Sequence, residues 1–193
     1  MTESDPQFDA LFDAHATAVL AYALRRTPTH ADAEDAVSET FVVAWRRVSA
    51  VPEGDQTLPW LLGVCRRILA NQRRGTERRW RLFDRLRHDD RRHEGPAPDE
   101  RGPAIVALSR LRPDDQEVLR LVAWDGLAPA QIAVVLGITP NAAAIRLHRA
   151  RRRFEGEYRL TAEPEDLKGF DPDRTSTSTE GGISGRAQRE RST

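Results

Sequence analysis

A chain of 193 residues that is 39% hydrophobic and 31% charged has room for one ordinary domain or two small ones, and is too polar for a membrane protein. No apolar run approaches the ~18 residues a transmembrane helix needs, and the N-terminal stretch MTESDPQFDALF is acidic where a secretory signal is basic, so a cytoplasmic protein without membrane insertion is expected. The formal net charge of +0 hides strong segregation: residues 1–60 hold 4 basic and 10 acidic side chains, 61–92 hold 11 and 4, 93–141 hold 4 and 7, 142–160 hold 6 and 2, and 161–193 hold 5 and 7.

From Phe8 onward, Leu11, Phe12, Ala16, Val19, Leu20 and Leu24 recur at three- and four-residue steps, the signature of a helix with one buried face. Thr27-Pro28 breaks it. Thr29 then caps a second helix whose first turns carry Asp32, Glu34 and Asp35, carboxylates favoured at the positive end of a helix dipole. Its apolar stripe is Ala33, Val37, Phe41, Ala44 and Val48. After the breaker-rich loop Val51-Pro-Glu-Gly-Asp-Gln56, a third helix is expected, with Thr57 as cap and Pro59 in the first turn, where a missing N–H is harmless. Leu61, Val64, Cys65, Ile68 and Leu69 form its buried face, and the pattern extends toward Trp80, Phe83 and Leu86.

Gly95-Pro-Ala-Pro98 and Gly102-Pro103 mark residues 88–103 as a linker. Beyond it, short helices over Ile105–Leu111 and Asp114–Trp124 lead to the turn Asp125-Gly126. Pro129 opens an eight-residue helix, Gly137 ends it, and Thr139-Pro140 caps and starts the next, which makes a helix-turn-helix. Residues 161–193, rich in Thr, Ser, Gly and charge, lack the apolar content to offset the entropy of ordering and are expected to be disordered. The fold class is therefore all-α: two small helical domains joined by a flexible linker, the C-terminal one a helix-turn-helix.

Three stretches carry chemistry. Asp32, Asp35 and Glu39 share one face of the second helix, suited to a basic partner if it is more than a solvated face. The third helix joins Trp60, Asn71 and the arginines Arg66, Arg67, Arg73 and Arg74, a combination of cations with polar and aromatic groups that suits single-stranded nucleic acid; a solvated arginine face with Trp60 in the core is the other reading. The last helix would enter a major groove by its N-terminal end, with Thr139 as its cap and Asn141, Ala142, Arg146, Arg149 and Arg152 on its outer side. Of these, Asn141 and Arg146 have donors for bidentate reading of adenine and guanine. The only cysteine, Cys65, excludes an intrachain disulfide and a cysteine zinc site, and no histidine grouping, phosphate loop or nucleophilic triad points to an enzyme or a cofactor.

In their order, Asp32-Ala-Glu-Asp-Ala-Val-Ser-Glu-Thr-Phe-Val-Val-Ala-Trp-Arg46, Pro59-Trp-Leu-Leu-Gly-Val-Cys-Arg66, Leu111-Arg-Pro-Asp-Asp-Gln-Glu-Val-Leu119 and Gln131-Ile-Ala, followed by Arg146-Leu-His-Arg-Ala-Arg151, resemble the extracytoplasmic-function (ECF) sigma factors of bacterial RNA polymerase. The resemblance runs from about residue 8 to 158. It implies a region-two-like domain over 1–87, the linker 88–103, a region-four-like domain over 104–160 and a tail over 161–193. It further implies core RNA polymerase docking through Asp32, Asp35, Glu39, Trp45 and Arg46. Capture of the melted minus 10 strand would fall to Trp60, Arg66, Arg67, Asn71, Arg73 and Arg74, and duplex minus 35 reading to Thr139, Asn141, Ala142, Arg146, Arg149 and Arg152. An anti-sigma factor is the further partner it implies. Arg67 departs from the Asn common there, and Ala142 and Ala144 from frequent Thr and Lys. The rival reading, an autonomous helix-turn-helix regulator binding operator DNA without polymerase, accounts for residues 104–158 only.

Overall fold

The computed structural model describes residues 6–84 and 102–162, with side chains over 6–75 and 102–162. Seven α-helices, joined by turns and two single 3-10 turns, make up the described residues: α1 (Pro6–Leu24), α2 (His30–Arg46), α3 (Thr57–Asp84), α4 (Pro103–Arg110), α5 (Pro113–Ala123), α6 (Pro129–Leu136) and α7 (Pro140–Thr161). No strand occurs among them. Most of the expected linker and the whole tail beyond residue 162 lie outside the described residues.

The first three helices pack together around Val19, Ala33, Ala36, Phe41, Ala44, Leu61, Val64, Cys65 and Ile68, all buried. An aromatic cluster closes one end, with the Phe12 and Phe41 rings 4.7 Å apart and edge-on and Phe8 6.3 Å from each. Thr29 caps α2 as its sequence requires, its Oγ1 accepting from the Asp32 N–H at 3.1 Å. Thr57 does not cap α3. It is already helical (φ −60°, ψ −56°), and its hydroxyl instead donates to the Pro52 carbonyl at 2.7 Å, stitching the preceding loop to the helix start.

In the second half, α7 runs past α4, α5 and α6 with Ala143, Leu147, Ala150 and Tyr158 buried along it. The corner between α6 and α7 is built as the sequence dictates. Gly137 takes a left-handed conformation (φ 66°, ψ 40°) that an L side chain would resist, and Thr139 Oγ1 accepts from the Ala142 N–H at 3.2 Å. At the start of α6, Ala128 offers no side-chain oxygen, but its own N–H donates to Gln131 Oε1 at 2.9 Å, so half of a capping box survives. Asp115, nearly buried at the start of α5, accepts two bonds from Arg153 of α7 at 2.7 and 3.0 Å, which fixes the roll of α7 relative to α5.

The two halves are in contact. Helix α6 lies against α3, and one buried cluster runs from Leu61, Leu62 and Cys65 through to Leu121, Leu127, Ile132 and Val135. Five consecutive residues, Leu61–Cys65, are buried, more than a helix covered on one side can hide: Leu61, Val64 and Cys65 face α1 and α2, and Leu62 and Gly63 lie on the flank toward α6.

Candidate nucleic-acid interface

The acidic residues of α2 stand on an exposed face. Asp32, Asp35 and Glu39 are exposed, as are Trp45 (51% accessible) and Arg46. Steps of three and four bring Asp32, Asp35, Glu39, Val42 and Arg46 into one stripe, with Trp45 beside it. Val42, 44% accessible, is therefore part of this face although composition gave no reason to single it out; only its place in the three-and-four stepping marks it. The face is apolar at its C-terminal end and anionic at its N-terminal end. Glu39 also accepts from Gln72 Nε2 of α3 at 3.4 Å, linking this stripe to the basic helix.

On α3 the expected residues divide between two flanks. Trp60, Gly63, Arg67, Asn71 and Arg74 follow one another at helical steps along one side, with Arg67, Asn71 and Arg74 exposed and Trp60 partly buried. Arg66 and Arg73 lie about a quarter turn away at ~100° per residue. Asn71 Oδ1 accepts from Arg74 Nη2, so the two are held together on the first side. Neither flank contains an acidic residue among the described side chains of α3, and the segment therefore presents a continuous positive potential.

On α7, Asn141, Ala142, Arg149 and Arg152 are exposed and Arg146 is partly so, while Ala143, Leu147 and Ala150 are buried on the opposite side. No described carboxylate pairs with Arg146, Arg149 or Arg152, whereas Arg153, one step round the helix, is occupied by Asp115. The Thr139 hydroxyl is engaged in the cap. Ile145, 44% accessible, shares the exposed side and gives it an apolar spot flanked by cations. A protruding helix N-terminus with small and apolar residues at its tip and free guanidinium groups behind it can enter a groove and hold phosphates on either side.

Sequence reasoning missed a second set of ionised groups, which lies between the halves. Arg26 of α1 donates from Nε to Glu117 at 3.0 Å and from Nη2 to Asp125 at 3.3 Å, and Arg25 also reaches Asp125. The Tyr22 hydroxyl donates to Glu117 at 2.8 Å, and the Arg26 guanidinium stacks 3.5 Å from the Tyr22 ring. Burial, reinforced by Glu117, holds the Tyr22 phenol well above its ordinary pKa. Burial works against the Arg26 charge, but Tyr22, Glu117 and Asp125 outweigh it and raise its pKa. Away from this cluster, burial pushes the Cys65 thiol up to about 11. Among the described residues no group of three or more His, Cys, Asp or Glu side chains could hold a metal ion, and no single helix is long and apolar enough to cross a membrane.

Comparison with known proteins places the two halves separately. Residues 11–79 match the sigma-70 region 2 family and residues 103–154 match sigma-70 region 4. The chain is 34% identical over 152 residues to the ECF RNA polymerase sigma factor SigL of Mycobacterium tuberculosis, covering 74% of this chain and 84% of that protein. It is 32% identical over 163 residues to the RNA polymerase sigma factor CarQ of Myxococcus xanthus, covering 79% and 91%. Two solved structures share the fold. Sigma factor RpoE in complex with the anti-sigma factor NepR from Bartonella quintana has a TM-score of 0.59 at 23% identity over 80% of this chain and 98% of that one. CnrH in complex with the cytosolic domain of CnrY has a TM-score of 0.56 at 22% identity over 80% and 89%. With an acidic face on α2, a basic face on α3 and a helix-turn-helix tip on α7, the chain belongs to the extracytoplasmic-function sigma factors of bacterial RNA polymerase.

Proposed function

We propose that this chain is a dissociable promoter-specificity subunit acting in the cytoplasm, without catalysis of its own. It binds core RNA polymerase through the Asp32–Asp35–Glu39 stripe with Val42, Trp45 and Arg46. The non-template strand of the minus 10 element runs along Trp60, Arg67, Asn71 and Arg74, with Arg66 and Arg73 contributing to the field. The minus 35 duplex receives α7, with Asn141 and Arg146 on base edges, Ala142 against the groove, and Arg149 and Arg152 on phosphates. On this reading residues 1–87 and 104–160 act as the two promoter-facing units, and an anti-sigma factor holds the chain inactive by covering these faces.

The observation that carries the proposal is the segregation of three exposed faces of different chemistry on three helices: anionic and apolar on α2, cationic on α3, cationic around a small tip on α7. A regulator that bound an operator unaided would leave the first two without purpose. The test is promoter-dependent initiation by sigma-free core polymerase with the purified full chain added. Asp35→Arg/Glu39→Arg should abolish core binding at unchanged helical content. Undiminished core affinity would overturn the docking assignment, and tight operator binding without any binding to core would overturn the whole reading.

A further inference from the structure

Helix α7 carries its core contacts and its exposed groups on opposite sides, and one residue stands at the centre of the exposed side. At ~100° per residue, the buried Ala143, Leu147, Ala150 and Tyr158 fall at about 160°, 200°, 140° and 220° from Ile145, so the buried stripe lies directly behind it. Asn141 and Arg149 flank it at ~40° to either side, Arg152 lies ~20° away, and Arg146 is turned ~100° toward the edge, where it is partly covered. Ile145 is thus the side chain of this helix that points most directly away from the fold. It is 44% accessible and is not part of the hydrophobic core, so an isoleucine at this place does nothing for the packing of α7.

Its neighbours leave it room to reach the floor of a groove. Ala142 and Ala144 end at Cβ, which clears the approach on the side toward the tip, and the Cα–Cβ bond of Ile145 itself tilts toward the helix N-terminus. Arg149 and Arg152 have long stems whose charged ends swing outward to phosphates. In the major groove only thymine presents an apolar group, its 5-methyl; guanine, adenine and cytosine present ring nitrogens, carbonyl oxygens and amino groups. An isoleucine pressed on such a donor or acceptor strips it of water and returns no hydrogen bond, whereas against the methyl both partners leave water together. The residue therefore selects in two ways, by favouring a methyl and by penalising a polar edge.

We propose that Ile145 determines specificity in the minus 35 element by packing against the 5-methyl group of a thymine, and so fixes one A·T pair, with its thymine on a defined strand, beside the bases met by Asn141 and Arg146. This inference rests on the function proposed above. The contact acts through shape and hydration, without charge. The thymine preference should therefore hold constant as salt is raised, while the overall affinity supplied by arginine–phosphate contacts falls.

The test uses the full chain bound to core polymerase. Promoter fragments randomised across the minus 35 element are selected for binding, which gives the preferred sequence, and each thymine in it, on either strand, is then replaced singly by deoxyuridine, which lacks only the methyl group. At one position this replacement should weaken binding by about fourfold, the effect of one buried methyl group. Ile145→Ala should erase the difference between thymine and uracil there and remove the enrichment of that A·T pair, while Ile145→Val should keep both. The side chain is exposed, so each variant should retain its helical content by circular dichroism and its affinity for core. A uracil penalty at no position, or one that survives in Ile145→Ala, overturns the assignment while leaving the functional reading intact. Absence of promoter-dependent initiation from every template would overturn the functional reading, and this assignment with it.

Discussion

Two glycines of the same helix predict opposite responses to one substitution. Gly63 and Gly75 both lie within α3, and neither has a positive φ, so replacing either by alanine should favour the helix by ~1 kcal/mol through backbone entropy. At Gly75 no atom of the described residues lies within 4 Å of the new Cβ, and the gain should be realised in full. At Gly63 the new methyl meets the Val135 carbonyl oxygen at 3.2 Å, and also the Val135 Cα and the Val134 carbonyl, at 3.4 and 3.5 Å. These are backbone atoms of a packed helix and cannot turn aside as a flexible side chain would, so over-packing of ~1–3 kcal/mol opposes the gain. Gly75→Ala should raise the melting temperature by about 2–4 °C, given the response of ~2–4 °C per kcal/mol for chains of this size. Gly63→Ala should leave it unchanged or lower it by up to about 8 °C at that same rate. Differential scanning calorimetry of the three proteins decides it. An equal rise for both variants would mean that α6 does not press on α3 at this point, and the reasoning would fail.

Asp115→Ala should cost about 1–2 kcal/mol in chemical denaturation, the value of a bidentate charged bond discounted because Arg153 is half exposed; no loss would show that α7 is seated without it. Arg146→Ala should relax minus 35 base preference while Ala142→Thr leaves it unchanged, as measured by initiation on a panel of promoter variants, and the reverse pattern would relocate the reading residues. Cys65 should resist alkylation in the native protein at neutral pH and react freely once unfolded. Because burial raises its folded pKa to about 11, above the ordinary range of a free thiol, its contribution to stability is complete below that ordinary range and is lost as pH rises through 11. A flat stability profile across that alkaline window would contradict it.

The helix-turn-helix was legible because its cues are local and each has a single structural meaning: Pro129 and Pro140 at first turns, Gly137 where φ is positive, Thr139 as cap. The same holds for Thr29 and the stripe of α2. Thr57 misled because the cue for a cap is only a hydroxyl near a helix start, and here the Pro52 carbonyl competes for it. What stayed hidden depends on segments distant in sequence. Tyr22 falls outside the expected stripe of α1 and yet is fully buried, since the second half covers it. Leu62 and Gly63 likewise fall outside the expected buried face of α3 and are buried. Arg25 and Arg26 carry no local cue to their burial, because their partners Glu117 and Asp125 lie about a hundred residues on. A periodicity argument sees which face of a helix is apolar, but not that a second face is also covered.

The far end of α7 bears on how the tip behaves. Thr161 Oγ1 lies 3.4 Å from the Pro103 carbonyl, Tyr158 is buried there, and α4 packs along the same stretch. The helix is therefore anchored where the chain arrives from the first half, and its 22 residues extend some ~33 Å to the other end at Asn141. Ala143, Leu147 and the Arg153–Asp115 pair seat the rest of its length on α5 and α6, so α7 moves with the second half as one body. A tilt of ~10° of that body about its Pro103 end moves the Asn141 end by about 6 Å, nearly two base-pair steps of 3.4 Å.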